Sequence, residues 1–207
     1  MINAVWQLLS GERGYMDNKE NLKKQIREWI QLGYIVPEDI PSIELYMDQV
    51  VMLLNEYLAY IYELNSDEKS VTSSMINNYV KMKIIPAPNK KKYSKIHLSR
   101  LIIICSLKKS LNISVIQRLL PNTDDEKENE RIYNAFVFAR KKAIETEIKT
   151  LGREFENVIN NENDEKICDM ITRMAVSTDI HKMFTEKFTD TVFEKTKTDD
   201  KKEKQND

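Results

Sequence analysis

The sequence predicts a mostly α-helical protein with one small β-hairpin near its centre. Gly and Pro, which most often interrupt helices, number only four and five among the 207 residues. Apolar side chains recur at helical spacing over most of the chain. The length is enough for one large or two small domains with a substantial core.

The first part of the chain is predicted to form a helical arm over residues 1–38, followed by a longer helix. Within the arm, Lys19–Leu32 carries apolar side chains on one side, and Gly33 ends the helix. The next helix, Ile43–Leu64, has apolar residues on a heptad seam and on both flanks of the seam. A seam can bind a coiled-coil partner, but a broad apolar face is more typical of a helix buried in its own domain.

The middle of the chain is strongly basic. No Asp or Glu occurs in the 55 residues from Lys69 to Thr123, which contain eleven Lys and Arg residues. The whole chain has 32 basic and 33 acidic residues. The part outside this segment therefore contains 21 basic residues and all 33 acidic ones. The segment therefore has a net charge of about +11 and the remainder about −12, which predicts a polyanionic partner for the segment.

A short polar helix, Ser74–Met82, is predicted inside the basic segment, with Thr72 or Ser73 as its N-cap. One side of this helix is expected to face a core. Asn pairs with adenine edges and Lys reaches guanine or phosphate, so the other side is suited to reading bases, although any single Asn is better explained by an ordinary solvated face. The core side carries Met75, Ile76, Tyr79 and Val80, and the outer side carries Ser74, Asn77, Asn78 and Lys81.

A basic hairpin is predicted after this helix. Pro86 and Pro88 forbid a helix and keep the residues before them extended. Ile84-Ile85 and Lys92-Tyr93 are therefore expected to pair as short strands around a basic tip. The tip is either a solvated turn or a wing whose lysines contact DNA phosphates. The candidate DNA-binding residues are Ser74, Asn77, Asn78, Lys81, Lys90, Lys91, Lys92 and Tyr93.

Two further helices complete the basic segment. Ser94 is predicted to cap a helix from Lys95 to Ser110, and a shorter helix follows until Pro121 stops it. His97 lies in the first turn of the longer helix, where we expect a phosphate contact or solvent.

This order of elements resembles the winged helix-turn-helix of MerR-type regulators. Two motifs, Met75-Ile76-Asn77-Asn78-Tyr79-Val80-Lys81 and Lys91-Lys92-Tyr93-Ser94, resemble more closely an uncharacterised bacterial family, domain of unknown function 1836. The similarity covers about Ile40–Leu120, and it implies a helix-turn-helix DNA-binding domain, placed here at residues 39–122, without an established activity. MerR proteins usually carry Arg-Tyr-Tyr where this chain has Asn77-Asn78-Tyr79, so the Arg that grips phosphate is missing.

A helical C-terminal region is predicted over residues 123–195, before a disordered tail at 196–207. Its first helix runs to about Asn160, and two shorter amphipathic helices follow. The long helix either packs within the chain or forms the antiparallel dimer helix that MerR-like proteins place after their DNA-binding module. We expect a homodimer through residues after Asp124, along the stripe formed by Ile144, Ile148, Leu151, Phe155 and Val158.

No catalytic or metal-binding constellation stands out, and we expect neither an enzyme nor a cofactor. The two histidines, His97 and His181, lack Cys or carboxylate neighbours at metal-ligand spacing, and no Gly-rich phosphate loop is present. Cys105 and Cys168 lie in apolar helical contexts, as expected for free thiols of a reducing cytoplasm. The longest apolar run is too short to cross a membrane, and no secretion signal is evident.

Two functions from different classes therefore remain. The first is a cytoplasmic transcription regulator that binds duplex DNA as a homodimer and responds to an effector that the sequence does not identify. The second is a helical interaction module that docks an acidic partner. The apolar residues of the last two helices are expected to form ordinary core packing or, less simply, to bind an apolar effector. They are Met170, Met174, Met183, Phe184 and Phe188.

Overall fold

The computed structural model describes residues 35–59, 70–121, 123, 125–160 and 164–203. Residues 1–34 of the arm predicted over residues 1–38, with its helix Lys19–Leu32, lie outside these residues. The described chain falls into two compact units. One, called here the central unit, comprises residues 35–137 and 177–203; the other comprises the described residues between 138 and 176.

The described residues are mostly helical, as predicted, with a single two-stranded sheet. A short 3-10 helix at Pro37–Asp39 precedes the first strand. The strands are β1 (Leu45–Tyr46) and β2 (Lys92–Tyr93). The helices are α1 (Met47–Tyr57), α2 (Ser73–Lys81), α3 (Lys95–Leu107), α4 (Ile113–Leu119), α5 (Glu126–Asn160) and α6 (Asp164–Glu203).

The strand pairing differs from the prediction. β2 pairs antiparallel with β1, with Leu45 opposite Tyr93 and Tyr46 opposite Lys92. The expected partner of β2, Ile84-Ile85, lies instead in the core with both side chains fully buried. Two prolines follow directly, and Pro has no N–H for a strand ladder, so this segment is a poor strand.

The helix that supports α2 also starts later than predicted. Residues at the predicted beginning of this helix form β1, and α1 begins only at Met47. Its entry is held by Gln49, whose Oε1 accepts a hydrogen bond from the Tyr46 backbone N–H at 2.9 Å. Ile43, expected on the buried seam, is 70% exposed, whereas Val50 and Leu54 of the same seam are fully buried.

Helix α2 begins and ends almost where the sequence predicts. The Thr72 hydroxyl oxygen accepts a hydrogen bond from the Met75 N–H at 3.3 Å, as an N-cap does. At the other end, the Ile84 N–H donates to the Tyr79 carbonyl at 3.0 Å and the Lys83 N–H donates to the Val80 carbonyl at 2.9 Å. This pair of bonds is a Schellman motif, and it turns Ile84 back into the core.

The core of the central unit is built around α3. Nine consecutive residues of this helix, from His97 to Cys105, are buried, so α3 is enclosed on all sides rather than on one face. The side chains packed around it come from both strands, from the other short helices and from the start of α5. They include Ile40, Leu45, Val50, Leu54, Ile76, Tyr79, Ile84, Ile85, Val115, Ile116 and Tyr133.

One charged residue, Arg100, lies inside this core and is 1% exposed. Its Nη1 donates to the Ile84 carbonyl at 3.1 Å, and its Nε donates to Asn129 Oδ1 at 2.6 Å. Its Nη2 donates to the carbonyls of Pro121 at 2.5 Å and Thr123 at 3.3 Å. Arg100 therefore ties the end of α2, the linker after α4 and the start of α5 together.

The central unit extends beyond the predicted domain boundaries at 39 and 122. The Tyr133 hydroxyl, on α5, donates to the Ile35 carbonyl at 2.8 Å, and the Tyr133 ring belongs to the core. Both residues lie outside the predicted range. The first turns of α5 are therefore part of this unit rather than of a separate C-terminal region.

The C-terminal part contains one helix where two were predicted. Helix α6 runs without a break from Asp164 to Glu203, across residue 196, where the disordered tail was predicted to begin. No Gly or Pro occurs in this range, and its many Lys and Glu residues are good helix formers even where no apolar face exists. Residues 204–207 lie outside the described part of the chain.

The expected packing of the apolar residues on α6 is also incorrect. Among the five predicted core residues, Met170 is buried, whereas Met174, Met183, Phe184 and Phe188 are exposed. In the predicted dimer stripe on α5, Ile144 has a side chain within the described set. The other side chains of this stripe lie outside the described set. Within the described residues, no helix combines the length and the apolar character needed to cross a membrane.

Candidate nucleic-acid interface

The outer side of α2 is exposed along its whole length. The four side chains predicted on this side (Ser74, Asn77, Asn78 and Lys81) are all exposed, while Ile76 and Tyr79 fix the opposite side in the core. Amide groups that donate and accept hydrogen bonds therefore stand next to a lysine on a short rigid helix. Such a side can make bidentate contacts with base edges and an ionic contact with phosphate.

Three lysines in the segment that follows α2 adopt a backbone conformation that is unusual for lysine. Lys83 has φ 57°, Lys90 has φ 47° and Lys91 has φ 64°. Lys83 occupies the left-handed position of the Schellman motif, where Gly is the common residue. For residues with a Cβ atom, this conformation costs about 1–2 kcal/mol each.

Lys90 and Lys91 are the two central residues of a tight turn. The Lys92 N–H donates to the Asn89 carbonyl at 2.8 Å, and Asn89 and Lys92 form an isolated bridge. Two consecutive positive φ angles define a type I′ turn, which favours Asn-Gly. The predicted basic tip therefore exists, although Asn89 rather than Ile84-Ile85 forms its first arm. All three left-handed positions favour Gly or Asn, and all three carry a positive charge.

The pairing of β1 with β2 adds an aromatic side chain that sequence reasoning missed. Tyr46 is 55% exposed, and the Lys92 Nζ lies 5.6 Å from the centroid of its ring. The sequence places Tyr46 inside a predicted helix, and a two-residue strand is too short for an alternating pattern, so no local signal identifies this neighbour. An exposed tyrosine beside lysines offers a ring and a hydroxyl to a sugar–phosphate backbone.

Two residues that were expected to face DNA or solvent are instead buried. Tyr93 is 3% exposed, and burial raises the pKa of its hydroxyl above the ordinary value. Its ring packs edge-on against the His97 ring with centroids 5.4 Å apart. His97 Nδ1 lies 3.0 Å from the Ser94 backbone nitrogen and 2.9 Å from the Ser94 hydroxyl oxygen. His97 therefore caps α3 together with Ser94, and Tyr93 is left out of the candidate interface.

The basic surface is smaller than the count of basic residues suggests. Arg100 is buried, and Arg118 on α4 pairs with Asp190 on α6. Lys108 lies beside α2, with its Nζ 5.9 Å from the Tyr79 ring centroid. Lys69 lies outside the described residues. The described lysines of the segment that are exposed or half-buried are Lys81, Lys83, Lys90, Lys91, Lys92, Lys95, Lys108 and Lys109.

A small cavity of about 160 Å³ lies between the 37–40 segment, the start of α3 and the start of α5. Its buried polar side chains already have partners. Ser99 Oγ donates to the Ile96 carbonyl at 2.9 Å, and Asn129 is held by Arg100 and by backbone carbonyls. The cavity offers a ligand only charged groups at the surface, so we assign no ligand to it.

The remaining chemistry of the described residues offers no reactive centre. No group of His, Cys, Asp and Glu in this part of the chain has the arrangement of a metal site. Burial raises the pKa of the Cys105 thiol to about 12, which the nearby Lys108 only partly offsets. A thiol with this pKa remains protonated and unreactive at neutral pH.

The fold and the exposed residues define a mostly helical domain that presents a polar helix and a lysine turn to solvent. Residues 35–136 match the model of a family described as Domain of unknown function (DUF1836). The match supports the resemblance found in the sequence, and it includes both residues of the Ile35–Tyr133 contact. No curated protein and no solved structure matches the chain.

Proposed function

We propose that this chain is a non-enzymatic, cytoplasmic transcription regulator that binds duplex DNA through a MerR-like winged helix-turn-helix. Helix α2 would lie in the major groove, and the turn Asn89–Lys92 would act as the wing on the backbone. The regulator would act as a homodimer, because two-fold dimers on paired half-sites are common among helix-turn-helix regulators.

The observation that carries this proposal is the identity of the residues at the left-handed positions. A turn that served only the fold would be more stable with Asn or Gly at residues 83, 90 and 91. The chain has lysine at each one. Strain of this kind is expected where a side chain is needed for binding, and exposed lysines that follow an exposed polar helix in the chain fit a polyanion.

The two parts of the interface would make different contributions. Lysines at the turn bind phosphates and release counterions, so they supply affinity that depends on salt but not on sequence. The amides of Asn77 and Asn78 supply discrimination between base pairs. The preferred DNA site can be identified by mixing the purified protein with genomic fragments and sequencing the fragments that it binds.

The lysine contribution is tested by a double substitution that keeps the turn. Lys90→Asn with Lys91→Gly gives the residues that a type I′ turn prefers, so the fold should become more stable while two charges are lost. We expect weaker binding to every duplex and a salt slope that is shallower by about 2, measured by fluorescence anisotropy over a salt series.

The matched control for this variant is Lys127→Asn with Lys182→Asn, which removes the same charge from exposed positions on α5 and α6. Its salt slope should equal that of the wild type. An unchanged slope in the turn variant would overturn the wing assignment. Equal binding of the wild type to a poly-glutamate chain and to DNA would favour the acidic protein partner instead.

The discrimination is tested by replacing Asn77 and Asn78 with Ala. Ala is a better helix former than Asn, so the stability of α2 should not decrease. We expect binding to random duplexes to remain within about twofold, while preference for the selected site falls by at least tenfold, since each bidentate contact is worth about 1–3 kcal/mol. Retained preference in competition experiments would exclude these two residues as the base contacts.

A further inference from the structure

Within the central unit, the part of α6 after residue 177 contacts α4 with its polar side. Asp190 pairs with Arg118, and Glu186 Oε1 accepts a hydrogen bond from Asn112 Nδ2 at 3.4 Å. Thr189, between them, is one of the buried polar residues. The Arg118–Asp190 pair is half exposed, and such pairs add little to stability.

The opposite side of the same helix stretch is apolar and faces solvent. At 3.6 residues per turn, Phe184 and Phe188 lie across the helix from Glu186 and Asp190. The exposed apolar residues on this side, called here the outward face, are Ile180 (41%), Phe184 (48%), Phe188 (64%) and Val192 (58%), with Met183 (55%) at its edge near Asp190. A surface helix normally turns its apolar side to the core, so this arrangement is reversed.

We propose that the outward face of α6 is the contact surface between two copies of this chain. Four of its residues follow one another in equal steps of four along the helix. A two-fold antiparallel contact centred near residue 186 therefore sets Ile180 against Val192 of the second copy, and Phe184 against Phe188. Self-complementarity of this kind is what an isologous interface requires.

The aromatic pair fits the centre of such a contact. The Phe184 and Phe188 rings are stacked, with centroids 5.8 Å apart and an angle of 17° between the ring planes. Two pre-packed rings from each copy would form a four-ring cluster around the two-fold axis. Aromatic residues at the centre of an interface commonly carry most of its binding energy.

The available apolar area fits a weak dimer. A buried aromatic side chain removes about 150–250 Å² from solvent, so the four half-exposed apolar side chains spaced four residues apart offer roughly 400 Å² per copy. A symmetric pair then buries about 800 Å² of apolar side chain, an area typical of weak, transient contacts. This surface differs from the α5 stripe that the sequence suggested.

This inference rests on the proposed function, because it specifies how the proposed homodimer forms. Its test measures the mass of the protein in the absence of DNA, so the dimer contact and the DNA binding can fail independently. Light scattering and sedimentation of the full chain should give twice the 24.4 kDa chain mass. Phe188→Glu should weaken dimerisation by at least about 30-fold, as expected for an interface hot spot.

The matched control is Phe138→Glu on α5, which changes an exposed phenylalanine of a different helix in the same way. This variant should remain dimeric, and circular dichroism should show equal helix content in all three proteins. A monomeric wild type, or a Phe188→Glu variant that dimerises as well as the wild type, would overturn the proposal. In either case the outward face would have another occupant, such as residues 1–34 or a different protein.

The orientation is tested by cross-linking on a Cys168→Ser background. Ile180→Cys with Val192→Cys should form a disulfide-linked dimer under mild oxidation, because antiparallel pairing brings residue 180 to residue 192 of the second copy. Ile180→Cys alone should not form a disulfide-linked dimer, since residue 180 of one copy would lie about 18 Å along the helix from residue 180 of the other. Efficient cross-linking of the single variant, or none of the double variant, contradicts the antiparallel contact.

Discussion

Arg100 carries a positive charge into the core of the central unit, where its guanidinium donates to oxygens of Ile84, Pro121, Thr123 and Asn129. A planar group with several donors can reach separated acceptors at once, whereas a lysine ammonium is a single point. Arg100 is one of the eleven basic residues counted in the basic segment, and its burial shows why a count of charges overstates a binding surface.

We expect Arg100→Lys to lower the free energy of unfolding by about 3 kcal/mol, because several buried carbonyl groups would lose their donor and a buried charge would lose partners. Urea denaturation followed by circular dichroism measures this difference. Arg131→Lys is the control, since Arg131 is exposed and its pairing with Glu128 is a surface contact. If Arg100→Lys and Arg131→Lys unfold at the same urea concentration, the structural role given to Arg100 is wrong.

At the scale of elements, Lys83 shows that the end of α2 is not optimised for stability. It takes the left-handed position of a Schellman motif, where Gly has no steric cost. We expect Lys83→Gly to raise the free energy of unfolding by about 1 kcal/mol. The same measurement on Lys81→Gly, inside the helix, should show a decrease of about 1 kcal/mol. A decrease in both variants would show that the left-handed conformation carries no cost here.

Elements defined by neighbouring residues were predictable, whereas contacts between distant residues were not. The Thr72 cap, the buried and exposed sides of α2 and the Pro121 stop after α4 all follow from local spacing. The β1–β2 pair joins residues 45–46 to residues 92–93, and neither strand has enough residues for a periodic signal. Tyr93 resembles a wing residue in sequence, and its burial follows from this pairing together with the packing of its ring on His97.

Helix α6 shows a second limit of prediction from sequence: a helix can be predicted correctly while its contacts cannot. Its apolar residues have helical periodicity, so the sequence correctly predicts helix there. Periodicity identifies an apolar side but not what that side contacts, and in the structure this side is exposed to solvent. The docking side consists of Glu186, Thr189 and Asp190, which no hydrophobic pattern would select.

At the scale of the whole molecule, the Arg100 and Tyr133 contacts set where the central unit can be cut. A fragment of residues 35–137 keeps both contacts and should unfold cooperatively on heating. A fragment of residues 35–124 loses Asn129 and Tyr133, so we expect no cooperative transition, since Arg100 and the Ile35 carbonyl would both lose buried partners. Equal melting curves for the two fragments would place the boundary near 122, as the sequence suggests.

The bond between Tyr133 and Ile35 joins residues that are 98 positions apart. Ribosomes add about 5–20 residues per second, so Ile35 is made roughly 5–20 s before the residue that closes the domain over it. For the first part of this interval, until Lys95–Leu107 has been made, Ile40, Leu45 and Val50 lack the α3 side chains that later enclose them. The nascent chain therefore presents apolar surface to chaperones until late in synthesis, and a ribosome stalled before codon 133 would hold a domain that cannot complete its fold.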